Sequence, residues 1–289
     1  MGRKSHTQSL YCSMNGILVG ELKYRQGVLS FEYDNAWVLR KGSRTLSQSL
    51  PMSASLDSQA VEAYFDNLLP DNINIRRNIV NRLGARSVST FDLLESIGRD
   101  CVGALSLSKE LPLGQLPKIE LESCDEHDIA NLIRNTRASN TLGMQTDEDF
   151  RISLAGAQEK TALAWWQNQW HKPKGQTPTT HILKPPIHHH EAMNLDLTSS
   201  VDNEWFCLRF LHELDMPVAH ASIEQFEDER VLVVERFDRK VTADSILRLP
   251  QEDFCQAYGR LSDNKHEEHG GPGSSDIMEL LSLSLEPIN

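Results

Sequence analysis

Two stretches of this chain combine small, cationic and carboxylate side chains in ways that suit a bound phosphate. In SLAGAQEKT (153–161), Ala155, Gly156 and Ala157 lie together, ahead of Gln158 and Lys160. Small side chains let backbone N–H groups approach and point at phosphate oxygens. Further on, THILKPP sets Lys184 at the end of an apolar strand, where Pro185 and Pro186 forbid further ladder pairing. A lysine fixed on a strand beside a flexible loop suits nucleotide phosphates, and it needs a carboxylate to orient it. The helix expected next, SSVDNEWFCLRFL, offers Asp202 and Glu204, which two-residue spacing keeps off a common face. Glu204 is the expected partner, with Asp202 read as a residue near the cap.

The loop fails as a Walker A sequence, because Gly156-x-x-x-Lys160-Thr161 lacks the second glycine and one spacing residue. A hairpin over a nucleotide and an ordinary β-turn both remain open for it. The strand RVLVVERFDRK turns from apolar to charged at Glu235-Arg236-Phe237-Asp238, as a pocket rim would. Backbone groups of Glu235 and Phe237 could pair with an adenine edge, while Asp238 and Gln251 could reach ribose hydroxyls. A surface ion-pair cluster is the alternative for these residues.

The elements that must position these groups follow from pattern. Asn15-Gly16 and Gln26-Gly27 read as hairpin turns, and Leu29, Phe31 and Tyr33 alternate with Val28, Ser30 and Glu32. Asp57 reads as the cap of a helix carrying Val61, Tyr64, Phe65 and Leu68. A second helix ends at Gly84, and a third starts at Thr90 as its cap. VGALSLS (102–108) closes this part as a strand, and the Pro-rich ELPLGQLPKIE marks a boundary. A helix over 125–137 follows. Beyond it the pattern predicts a five-strand meander (RISLA, KTALAWW, THILKPP, HASIEQF, RVLVVERF) with one helix over 199–214.

Composition narrows the function classes. A net charge of −12 argues against gripping nucleic acid unaided, since phosphate neutralisation needs clustered Lys and Arg. No apolar run reaches the roughly 20 residues of a membrane span, and MGRKSHTQSL has no signal-peptide core. The expectation is a cytoplasmic protein without membrane contact. The five cysteines are scattered and expected to be reduced thiols. His188-His189-His190-Glu191 and His266-Glu267-Glu268-His269 read as solvated loops rather than metal sites, so no metal ligand is assigned. Trp165, Trp166 and Trp170 read as core and strand-pair aromatics.

RISLAGAQEKTAL, TPTTHILKPP, SVDNEWFCL, VVERFDR and LPQEDFCQ, in this order and spacing, resemble the HipA family of bacterial serine/threonine protein kinases. YFDNLLPDN and LLESIGRDCVGALSL resemble that family's N-terminal subdomain, so the likeness runs from about Asn15 to Gly273. The resemblance implies an α+β fold: a mixed α/β subdomain (1–110), a linker and connecting helix (111–148), a protein-kinase-like ATP-binding lobe (149–258) and the start of a helical C-lobe (259–289). It implies a toxin of a toxin–antitoxin module, held by a HipB-type DNA-binding antitoxin and touching DNA only through it, with a glutamyl-tRNA ligase as substrate. Ser153 matches the family's autophosphorylation serine and Lys184 its ATP-phosphate lysine. Ala155, Gly156, Ala157, Gln158 and Lys160 fall in the ATP loop. Glu235, Arg236 and Phe237 match the adenine segment, and Asp238 and Gln251 the ribose end. The cofactors implied are ATP and Mg²⁺.

The family's catalytic Asp-Gly-His-x-Lys-Asn pattern does not occur in these residues. Five positions after Asp238, Asp244, Asp253, Asp263 and Asp276 stand Ala243, Leu249, Tyr258, Glu268 and Leu281, none an asparagine. No catalytic residue is therefore assigned. The expectation is a C-terminally truncated chain, its C-lobe mostly missing or supplied by a separate chain. Transfer would then be lost, since a positioned general base alone contributes about 10²–10⁴-fold. A non-catalytic regulator that binds the antitoxin or a partner toxin is the alternative.

Overall fold

The computed structural model describes residues 7–53, 55–137, 154–156, 158–187 and 196–283. Strands β1 (Gln8–Met14), β2 (Ile17–Arg25) and β3 (Val28–Tyr33) form an antiparallel run, and β4 (Leu105–Ser108) joins beside β1, giving the order β3-β2-β1-β4. Both hairpins close on two residues, Asn15-Gly16 and Gln26-Gly27, all four with positive φ. That backbone twist matches the twist of the flanking strands. Gly16 has a second reason to be glycine, because a Cβ there would lie 1.8 Å from the Gln115 carbonyl oxygen.

Between β3 and β4 run α1 (Asn35–Val38), α2 (Ser58–Asp66), α3 (Ile73–Leu83) and α4 (Thr90–Ile97). Asp57 caps α2 by accepting from the Ala60 N–H, and Gly84 ends α3 in the left-handed region, both as their sequence positions predict. The cap of α4 is Ser89 rather than Thr90. Ser89 Oγ accepts from the Asp92 N–H, while the Thr90 hydroxyl donates to Glu62. These helices cover the four-stranded sheet with one core, in which Phe31, Phe65, Phe91 and Leu94 are buried.

A six-stranded antiparallel sheet follows, in the order β5-β7-β6-β8-β10-β9. Its strands are β5 (Leu121–Ser123), β6 (Thr161–Trp166), β7 (Gln169–Pro173), β8 (His181–Lys184), β9 (Ala221–Phe226) and β10 (Glu229–Glu235). The order is not the simple meander expected. β7 and β5 were not foreseen, β8 pairs with β10 rather than β9, and Leu154 and Ala155 of RISLA are not strand.

Helices α5 (Glu126–Arg137) and α6 (Ser200–Glu213) lie on opposite faces of β10. Val231 and Val233 meet Ile129, Ala130 and Ile133 of α5, whereas Leu232 and Val234 meet Val201 of α6. Cover on both faces explains the unbroken apolar run Val231–Val234. A ribbon of β11 (Arg239–Val241) and β12 (Ile246–Arg248), then α7 (Phe254–Ala257) and α8 (Ser274–Ser282), complete the described chain. α7 and the turn after it return to the first unit: Gln256 Nε2 donates to Tyr64 O on α2, and Ser262 Oγ to Asp66 Oδ2. No helix among the described residues is long and apolar enough to cross a membrane.

Candidate nucleotide-binding site

Lys184 ends β8 opposite Leu232 of β10, and its Nζ lies 2.5 Å from Glu204 Oε1 on α6. Asp202 points elsewhere and takes both terminal nitrogens of Arg230, at 2.6 and 2.8 Å. The two carboxylates, two residues apart and so on different faces of α6, take different partners, with Glu204 on the lysine as the spacing predicts.

The loop before β6 leans on the same corner. Gln158 Nε2 donates to the Pro185 carbonyl at 3.0 Å, and Lys160 Nζ to the Ala155 carbonyl at 2.6 Å. Gly156 sits at φ +105°, and a Cβ there would lie 2.8 Å from Lys160 Nζ. Burial, and after it the positive charge of Lys184, push the Lys160 amine down to about 8, against the opposing pull of Asp71 and Glu204. An anion beside both amines would offset that mutual repulsion. Ser153 and Ala157 lie outside the described residues.

The first unit also reaches this corner, which local sequence did not foresee. The Asp71 N–H donates to Gly156 O at 3.3 Å, and Asp71 Oδ2 lies 2.5 Å from Lys265 Nζ. Asp71 follows Pro70 at the end of the α2 segment, and nothing in its neighbours signals a role at a loop 85 residues away.

At the far end, the segment leaving β10 alternates its side chains. Glu235 and Phe237 face outward, Phe237 being 72% exposed, whereas Arg236 and Asp238 are each only 4% exposed. Asp238, expected at the ribose, has both oxygens engaged internally: Oδ1 accepts from Arg236 Nε, and Oδ2 from Arg236 Nη2 and the Gly103 N–H. Arg236 likewise reaches inward, to Asp100, Thr179 and Cys101 O. The Glu235 N–H is donated to His220 O. Gln251 is half-buried against Gly103, and its Oε1 is a buried acceptor with no partner among the described residues.

The paired Lys184, the buried Lys160 and the buried, unpartnered acceptor of Gln251 are compatible with a nucleoside triphosphate. For Mg²⁺ the described residues form no group of three His, Cys, Asp or Glu, so no step is derived through a metal. His266 and His269 stack edge to face at 6.0 Å without such a group, and His188–Glu191 lie outside the described residues. Trp165 and Trp170 form a cross-strand pair at 4.8 Å, with Trp170 packed on Phe226.

Comparison with known proteins bears on the family of the chain. The family model of the HipA N-terminal domain matches residues 10–108, and that of the HipA-like C-terminal domain matches residues 152–287. The Y4mE protein of Sinorhizobium fredii is 34% identical over 274 residues, covering 92% of this chain and 63% of that protein. The serine/threonine-protein kinase toxin HipA of Shewanella oneidensis is 28% identical over 286 residues, covering 96% of this chain and 62% of that protein. The HipA chain solved in complex with HipB and operator DNA, from the same species, superposes with a TM-score of 0.72 at 27% identity, covering 95% of this chain and 63% of that one. The chain therefore spans a little under two thirds of the length of these relatives. With both domain models matched in order along one polypeptide, and a solved HipA sharing its fold, the chain belongs to the HipA family.

Proposed function

We propose that these residues form the ATP-binding part of a HipA-type serine/threonine protein kinase toxin. The observation that carries the reading is the Lys184–Glu204 pair at 2.5 Å beside the Ala155–Lys160 loop. In this reading Lys184 holds the triphosphate as a point charge oriented by Glu204, and Lys160 adds a second amine. The outward edge of Glu235–Phe237 takes the base, and Gln251 accepts from a ribose hydroxyl. ATP when bound supplies the phosphoryl group, with Mg²⁺ held by ligands other than these. Ser153 is the proposed autophosphorylation site, and a glutamyl-tRNA ligase the proposed substrate. A HipB-type antitoxin is the proposed partner and the route to DNA, supported by the HipB and operator present in the related complex. The proposed location is the cytoplasm.

None of the aspartates after Phe237 has an asparagine five residues on, so these 289 residues tested alone should bind ATP without transferring phosphate. The same observation favours a second reading, a binding regulator of a toxin–antitoxin module. Titration of the chain with ATP tests the first, with Lys184→Met as control. Loss of a charge-assisted contact should weaken binding about 10- to 150-fold. ATP affinity unchanged by that substitution would remove the site, and γ-phosphate appearing on Ser153 would remove the binding-only reading.

A further inference from the structure

The segment after β10 is bolted down from beneath by charges that never reach the proposed ligand. Asp100, in the turn after α4, is 4% exposed and accepts from five donors. Oδ1 takes Arg239 Nη2 at 2.9 Å and Arg248 Nη2 at 3.0 Å. Oδ2 takes the Thr179 hydroxyl at 2.6 Å, the Thr179 N–H at 3.1 Å and Arg236 Nη1 at 3.3 Å. Asp238 closes the cluster from the other side through Arg236 and Gly103. Backbone carbonyls of Cys101, Gly103 and Thr179 take further donors of Arg236 and Arg239. Burial alone would raise the Asp100 carboxyl, but the guanidiniums of Arg239, Arg236 and Arg248 override it and hold it well below the carboxylate range.

A buried ionic network of this kind contributes little net stability but enforces one geometry, since any displaced member leaves a charge uncompensated. Its members Arg236 and Asp238 alternate along the chain with Glu235 and Phe237, which face outward. Moving the inner pair must therefore move the outer pair. The phosphate corner is held separately, by Glu204 on α6 and by the Gln158–Pro185 contact.

We infer that Asp100 and Thr179 are positioning residues that set segment 235–238 for the base, so that the N-terminal unit takes part in nucleotide recognition without touching the nucleotide. The inference rests on the ATP reading above. Its signature is a split between base and phosphate. Thr179→Val keeps the side-chain shape and removes both hydroxyl links, the one to Asp100 and the one from Arg236.

Titrating the 289-residue chain with ATP and with inorganic tripolyphosphate, Thr179→Val should weaken ATP about 3- to 10-fold and leave tripolyphosphate within about twofold. Thr179→Ser should restore ATP, and Asp100→Asn should exceed Thr179→Val in the same direction. Equal weakening of both ligands, or unchanged ATP affinity in Thr179→Val, overturns the positioning role alone. A parent chain that binds neither ligand overturns the ATP reading, and this inference with it.

Discussion

Glu204→Gln isolates what the carboxylate does for Lys184, because glutamine keeps an acceptor in place and removes only the charge. Two opposite charges about 4 Å apart attract by about 4 kcal/mol at an effective dielectric constant of 20 and about 1 kcal/mol in water. The Lys184 and Glu204 side chains are 21% and 35% exposed, so the pair belongs nearer the solvated limit, and the cost to stability should be about 1 kcal/mol. ATP binding sets two effects against each other. Removing a carboxylate relieves repulsion of the phosphates, a screened term of about 1 kcal/mol. Freeing the ammonium forfeits pre-organisation of a side chain carrying about 2 kcal/mol of rotamer entropy. Orientation should win, and ATP affinity should fall about 5-fold. In a double-mutant cycle by calorimetry, Lys184→Met/Glu204→Gln should bind ATP no worse than Lys184→Met alone, since without the lysine the orienting role of Glu204 is gone and only the relief of repulsion remains. Fully additive losses, or tighter ATP binding by Glu204→Gln, would refute the argument.

Asp202→Asn tests the assignment of partners: with Asp202 engaged by Arg230, ATP affinity should stay within about twofold, and a loss matching that of Glu204→Gln would reverse the assignment. Lys160 predicts a pH dependence, because its amine is depressed to about 8 from an ordinary 10.5. Between those values the unfolded chain keeps a proton that the folded chain has released, so this residue's contribution to stability rises with pH across the window. ATP favours the charged amine, so its affinity should fall as pH passes 8, and Lys160→Met should flatten both trends in calorimetry and thermal melts. Cys207 is exposed while Cys12, Cys101 and Cys255 are buried, and burial pushes the Cys101 thiol up to about 12. Native alkylation followed by mass spectrometry should therefore label Cys207 first; equal labelling of Cys101 would contradict the packing. Phe65 is fully buried beside Phe31 and Tyr64, so Phe65→Ala should cost about 3–5 kcal/mol in denaturant titration, and a loss below about 1 kcal/mol would remove it from the core.

The features legible in the sequence lie within a few residues of their cause. Asn15-Gly16 and Gln26-Gly27 made their turns because a two-residue loop demands positive φ, and Asp57 and Gly84 bounded their helices through bonds that span a single turn. Lys184 and Glu204 also came together as read, since a strand end and the first turns of the next long helix leave little choice of partner. The cap of α4 slipped by one residue to Ser89, because adjacent hydroxyls offer equal local chemistry and the Glu62 side chain claimed Thr90.

Other features depend on contacts between segments far apart in the chain. In Glu235-Arg236-Phe237-Asp238, strand alternation says that two side chains share each face but not which face is interior. Arg236 and Asp238 turned inward because Asp100 and Gly103, some 135 residues earlier, offered a carboxylate and an N–H that could satisfy them when buried. Asp71 and Lys265 met beside the phosphate loop for the same kind of reason, although they stand 194 positions apart. Local pattern records hydrogen bonds made along the chain; it carries no trace of those made across the junction of two sheets, where burial decides which charges must find one another.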